Sequence, residues 1–131
     1  MAVQLDEGHA IFLGPGEGES IPGKHRDFVV KAERDELEVI EFACDPQFGP
    51  VPPHVHPDKV DSFYILEGEL EFTIGEETVR AGPGSYVAAP PGVRHGFRNP
   101  GPGRARFLNV HAPSDGFIGR VRREANPEPE D

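Results

Sequence analysis

The 131 residues carry 23 acidic and 13 basic side chains, a formal net charge of -10, which repels phosphate backbones and anionic headgroups and argues against nucleic acid or a membrane surface as partner. The length suits one domain with a real core and is too short for two. Gly (16) and Pro (15) exceed ordinary usage but come with nine Phe, a mixture that points to many tight turns between short strands rather than to disorder.

In chain order, Met1 to Gly8 does not resemble a secretion signal, and no apolar run approaches the roughly 20 residues of a membrane span, so a reducing, cytoplasmic setting is expected. Ala10 to Leu13 reads as a short edge strand, and Gly14 to Gly23, without periodicity, as a solvated connector. Phe28 to Lys31 and Leu37 to Cys44 read as strands joined by a charged turn at Glu33 to Glu36. The second has adjacent apolar residues, so both its faces are expected to be covered, and the single cysteine, Cys44, reads as a buried thiol. Asp45 to Pro53 contains Pro46, Pro50, Pro52 and Pro53; proline fixes φ and lacks a ladder donor, which makes this a stiff, irregular strand. It aims His54 and His56.

Ser62 to Glu67 is the strongest strand signal. If Asp61 points inward, Phe63 and Ile65 do too, leaving Tyr64 and Leu66 on the opposite face, where a second subunit packed sheet to sheet is expected. After Gly68, Leu70, Phe72 and Ile74 alternate with Glu69, Glu71 and Thr73, and Gly75 to Glu77 turns the chain into Thr78 to Arg80. Ser85 to Ala89 follows, then Pro90, Pro91 and Gly92 lead into His95, whose face Phe97 shares. Arg104 to Ala112 is the last strand, with Phe107, Asn109 and His111 on one face and Leu108 and Val110 on the other. Ser114 reads as the N-cap of a short helix through Glu124 with Phe117, Ile118 and Val121 as its apolar stripe. Residues 1–125 form the domain and 126–131 an acidic, disordered tail.

His54 and His56 stand two apart, so in an extended strand they share a face about 7 Å apart, and both imidazoles can grip one ion. Asp61 and His95 supply a carboxylate and a third imidazole. Three nitrogens and one oxygen suit a divalent transition metal, Fe, Mn, Ni, Co, Cu or Zn, and leave positions open on an octahedral ion. His9 and His25, in polar turn-like surroundings, read as surface histidines.

The punctuation around these residues resembles the two motifs of the cupin superfamily. Gly49, His54, His56 and Gly68 fit the first, with Asp61 where a Glu usually stands and a gap from Gly49 to His54 one residue short. Gly84, Pro90, Gly92, His95 and Asn99 match the second at every spacing. The two motifs, within the region 49–99, cover about a third of the chain, and the shorter Asp61 leaves two readings: direct ligation, or a three-His centre with the carboxylate hydrogen-bonded to a ligating imidazole.

The resemblance implies an all-β, single-domain jelly-roll β-barrel with the metal inside near its wider mouth, and about ten strand signals between Gly/Pro turns agree. It is most similar to the small quercetin-dioxygenase-like members. That implies a metal-dependent oxygenase acting on a small chelating enol, diol or keto substrate, with an isomerase, a decarboxylase or a non-catalytic small-molecule-binding module as the alternatives. Phe63, Ile65, Phe72 and Phe97 would line the pocket. Asp61, if not a ligand, and His111 are the acid/base candidates.

Overall fold

The stretches read as extended contain strands in the computed structural model, which describes residues 3–4 and 10–126; of Asp45–Pro53, however, only the end from Val51 on is strand, and residues 45–50 are turn and irregular chain. The chain runs through β1 (Val3–Gln4), β2 (Ile11–Phe12), β3 (Glu19–Pro22), β4 (Arg26–Glu33), β5 (Glu38–Cys44), β6 (Val51–His54), β7 (Val60–Glu67), β8 (Leu70–Ile74), β9 (Glu77–Ala81), β10 (Tyr86–Ala89), β11 (His95–Arg98) and β12 (Ala105–Ala112), and ends in α1 (Phe117–Ala125). All pairings are antiparallel. A six-stranded sheet in the order β10-β7-β12-β5-β4-β3 faces a four-stranded sheet in the order β6-β11-β8-β9, and β1 pairs β2 separately. This is the expected jelly roll with one short C-terminal helix.

Alternation in sequence becomes alternation in burial. Along β5, Glu38, Ile40, Phe42 and Cys44 are buried while Val39, Glu41 and Ala43 are half-buried; along β12, Ala105, Phe107, Asn109 and His111 face inward. The sheets are glued by phenylalanine: Phe42 stacks on Phe107 at 4.5 Å within the larger sheet, and Phe97 of the smaller sheet meets both, at 5.8 and 5.5 Å. Each such ring removed from water stabilises the fold by about 2–3 kcal/mol. On β7 the inner face carries Asp61, Phe63 and Ile65, and Tyr64 and Leu66 are exposed.

Two further elements differ from the sequence expectation. The stretch read as a connector contains β3, which pairs with β4 so that Ile21 lies opposite Phe28 in the core. With a single buried side chain it shows no periodicity, and backbone pairing holds it instead. The helix starts at Phe117 rather than after Ser114, because Gly116 takes a left-handed conformation (φ 84°) and the Ser114 hydroxyl accepts from the Gly116 N–H at 3.2 Å. Its first turn is met from outside: the buried Glu38 carboxylate accepts from the Ile118 N–H at 3.3 Å. Residues 127–131 of the expected tail, and His9, lie outside the described residues.

Candidate metal centre

The site forms where the two sheets approach each other at one end of the core. β11 pairs with β6 so that His95 and His54 are direct partners across the ladder, and the chain just past β6 carries His56. That approach depends on Gly96: a Cβ there would fall 2.4 Å from the Val51 carbonyl oxygen and 2.9 Å from the Pro53 nitrogen. From the opposite sheet, β7 contributes Asp61, flanked by Ala89 of β10 and His111 of β12.

Imidazole centroids of His54, His56 and His95 lie 4.5, 4.6 and 5.1 Å apart, and one ligand atom from each, with a carboxylate oxygen of Asp61, falls within 4.8 Å of the others. Asp61 and His95 are buried at the floor; His54 and His56 are half-buried on the solvent side. The shorter carboxylate reaches the centre because β7 runs close: its Oδ2 is 2.9 Å from His95 Nε2 and 3.4 Å from His56 Nε2.

Backbone carbonyls set the ring orientations. Nδ1 of His54 lies 2.9 Å from the Pro52 oxygen and Nδ1 of His95 lies 3.0 Å from the Val93 oxygen. A carbonyl only accepts, so both Nδ1 atoms carry hydrogen. Nε2 of each ring is thereby left for the centre, the arrangement in which metal-ligating histidines are held. His56 Nε2 is buried with no hydrogen-bond partner. An unpartnered buried ring nitrogen beside two oriented imidazoles and a carboxylate fits a bound cation better than it fits a sealed core.

Electrostatics agrees. Burial, then the nearby Lys59 charge, lowers the His56 pKa to about 4, so its ring is neutral and ready to ligate. Burial works to raise the Asp61 pKa, but hydrogen bonds from His111, His95 and Asn109 outweigh it and hold the carboxyl well below the usual range. His95 goes the other way: burial disfavours its charge, but the bond to Asp61, the Val93 carbonyl and the Asp61 charge together outweigh this and raise its pKa. In the metal-free protein a proton on His95 Nε2 bridges to Asp61; a divalent transition metal taking that proton's place would meet one anionic oxygen and three nitrogens, a donor set suited to it.

The other sequence candidates are placed as follows. His111 is buried on the inner face of β12, with Nε2 3.2 Å from Asp61 Oδ1 and Nδ1 3.0 Å from Lys59 Nζ. Phe63 lies under the centre, its ring 6.4 Å from that of His95, while Ile65, Phe72 and Phe97 continue from it into the core cluster. Asn99 braces the neighbouring loop, its amide donating to the Asp45 and Gly103 carbonyls. Sequence reasoning missed Asn109 as a partner of Asp61 and missed Lys59 altogether. Between Asp58 and Asp61 a lysine reads as solvated, and its burial comes from contacts with β12 and α1 that no local pattern announces.

Comparison with known proteins places this geometry. No curated protein matches the chain. Among solved structures, it is similar to KdgF from Halomonas sp., with 19% identity and a TM-score of 0.74 over 84% of this chain and 99% of that one. The TT1209 protein from Thermus thermophilus has 29% identity and a TM-score of 0.64 over 71% of this chain and 88% of that one. A double-stranded beta-helix protein from Klebsiella pneumoniae has 29% identity and a TM-score of 0.61 over 79% of this chain and 84% of that one. The Cupin domain family model matches residues 41–111, more than half of the chain and all four residues of the centre. With that match added to the jelly roll and the convergent imidazoles, the chain belongs to the cupin domain family.

Proposed function

We propose that this chain is a metal-dependent cupin of the oxygenase type, acting on a small substrate that chelates the ion through enol, diol or keto oxygens. His54, His56, His95 and Asp61 hold the ion, and the rings around Phe63 keep water from the floor of the site. A bound first-row ion supplies a template and Lewis acid, with open positions for a chelating substrate and dioxygen. The observation that carries this choice is the engagement of His111: both its ring nitrogens are hydrogen-bonded, one to Asp61 and one to Lys59. The acid/base candidates thus serve the centre rather than a substrate. An isomerase or decarboxylase needs a free proton-transfer group at the open positions.

The reading is tested in two steps. Elemental analysis finds close to one transition metal per chain, and His56→Ala abolishes that uptake; unchanged uptake removes the centre. On iron-, manganese- and nickel-loaded protein, an oxygen electrode with flavonols and small diketones then records substrate-dependent oxygen consumption. Turnover without oxygen consumption selects the isomerase or decarboxylase, and tight binding without turnover selects a binding module.

We further propose a homodimer built on the outer face of the six-stranded sheet. There Tyr64 lies opposite Tyr86 on one side and Leu108 on the other, with Tyr64 44% and Tyr86 64% exposed. An apolar face flanked by charged residues suits an isologous partner. Among the described residues no helix is long and apolar enough to cross a membrane, and the lone thiol, Cys44, is buried with its pKa pushed up to about 11. A reducing cytoplasm is the proposed setting.

A further inference from the structure

A second polar cluster lies beneath the metal centre. Glu38, His111 and Asp115 bring potential ligand atoms within 4.8 Å of one another, yet a cation already serves this group. The Lys59 side chain is 2% exposed, and its Nζ lies 3.0 Å from His111 Nδ1, 2.9 Å from Asp115 Oδ2 and 5.7 Å from the Phe117 ring centroid. A lysine buried this deeply costs free energy unless it is paired. Asp115 supplies the pairing, which leaves the contact with His111 to be explained.

An ammonium has three donors and no lone pair. At 3.0 Å from a ring nitrogen it can only donate, so His111 Nδ1 is the lone-pair nitrogen and the ring hydrogen sits on Nε2. Nε2, 3.2 Å from Asp61 Oδ1, donates to that oxygen, which also accepts from Asn109 Nδ2 at 2.8 Å. With Oδ1 held by two donors, Oδ2 faces His95 and His56. Without the ammonium the other tautomer becomes available; its Nε2 would be an acceptor facing the carboxylate, and Oδ1 would lose a partner.

We propose that Lys59 is a positioning residue for the metal centre: its ammonium fixes the tautomer of His111, and His111 in turn fixes the Asp61 carboxylate with one oxygen aimed at the ion. The inference rests on the reading of Asp61 as a ligand. It assigns the Asp115-Lys59-His111 chain to the same site, contributed by the turn before β7, the end of β12 and the approach to α1.

The test uses the full chain, metal-free and zinc-loaded, labelled with 15N at histidine. Long-range 1H-15N correlation spectra, with His111 assigned from its loss in His111→Gln, show Nε2 as the protonated nitrogen in the wild type. Lys59→Met, close in volume, shifts the ring toward the Nδ1-protonated tautomer and weakens zinc binding, measured by chelator competition, about 10-fold or more. Lys59→Arg, which keeps cationic donors, restores part of both. An Nδ1-protonated or doubly protonated His111 in the wild type overturns the proposal without recourse to any variant. So does a Lys59→Met protein that keeps both the tautomer and wild-type zinc affinity. A wild type with the expected tautomer but no zinc uptake instead overturns the metal-centre reading and, with it, the role assigned to Lys59, so the two failures are distinguishable.

Discussion

Asn109 pins Asp61. Its Nδ2 donates to Asp61 Oδ1 at 2.8 Å and to the Ser62 carbonyl at 2.9 Å, tying the inner face of β12 to the start of β7 and preventing the carboxylate from turning. Asn109→Leu keeps the bulk and removes both donors. The expected cost is about 1–3 kcal/mol of stability by urea denaturation, from acceptors left short of a partner. Zinc affinity by chelator competition falls about 10- to 100-fold. Wild-type affinity in this variant shows that Asp61 needs no orientation.

Gly96 sets the distance between β11 and β6. An added methyl collides with backbone atoms of Val51 and Pro53, which lack the freedom of a side-chain tip. Gly96→Ala therefore pushes His54 away from His95; we expect a loss of roughly 1–3 kcal/mol, as for overpacking, together with loss of stoichiometric metal in elemental analysis. Gly103→Ala, where nothing lies within 4 Å, is the control. A Gly96→Ala protein with full metal content rules out this account of the close approach.

The metal-free protein has a stability optimum near the ordinary imidazole pKa. His56 titrates at about 4 when folded, against 6.5 ordinarily; between these values the unfolded chain binds the extra proton, and stability falls as pH drops across that window. His95 has a raised folded pKa, so its contribution is complete below its ordinary value and is lost as pH rises through the folded one. Urea midpoints between pH 4 and 8 trace this dome. His56→Gln flattens its acid limb and His95→Gln its alkaline limb; a profile unchanged by both substitutions contradicts the assignment.

If the proposed centre takes zinc, the ion binds the native chain and stabilises it by mass action. At a free concentration about 100 times Kd the gain is about 2.7 kcal/mol, read as a rise in Tm by calorimetry. His54→Ala, which removes one proposed, half-buried ligand and leaves the phenylalanine core intact, is expected to abolish the rise. A rise of wild-type size in His54→Ala places the ion elsewhere.

Tyr64→Glu puts a charge at the middle of the proposed dimer face, away from the inner face of β7. Light scattering at micromolar concentration should give a dimer for the wild type and a monomer for the variant, with metal content unchanged. A wild-type monomer removes the interface.

Much of the architecture was legible in the residues. Strict alternation in Leu70–Ile74 and the last strand follows from the twofold repeat of extended chain against one buried face, and Gly/Pro punctuation marks the turns because those residues restrict or permit special backbone conformations. His54, His56, Asp61 and His95 could be named together because metal chemistry restricts residue types and the motif spacing restricts their placement.

What stayed hidden depends on partners distant in the chain. β3 is paired into the sheet rather than patterned, since only Ile21 of its four side chains is buried. Which face of β12 points inward, and hence that His111 and Asn109 meet Asp61, was settled by its register against β7. Lys59 reads as solvent-facing in sequence and is buried only because Asp115 and His111, more than 50 residues away, close over it. Residue type and spacing determine which donors can share an ion; the packing of one sheet against the other determines which hydrogen bonds orient them, because those bonds join atoms that the chain brings together only on folding.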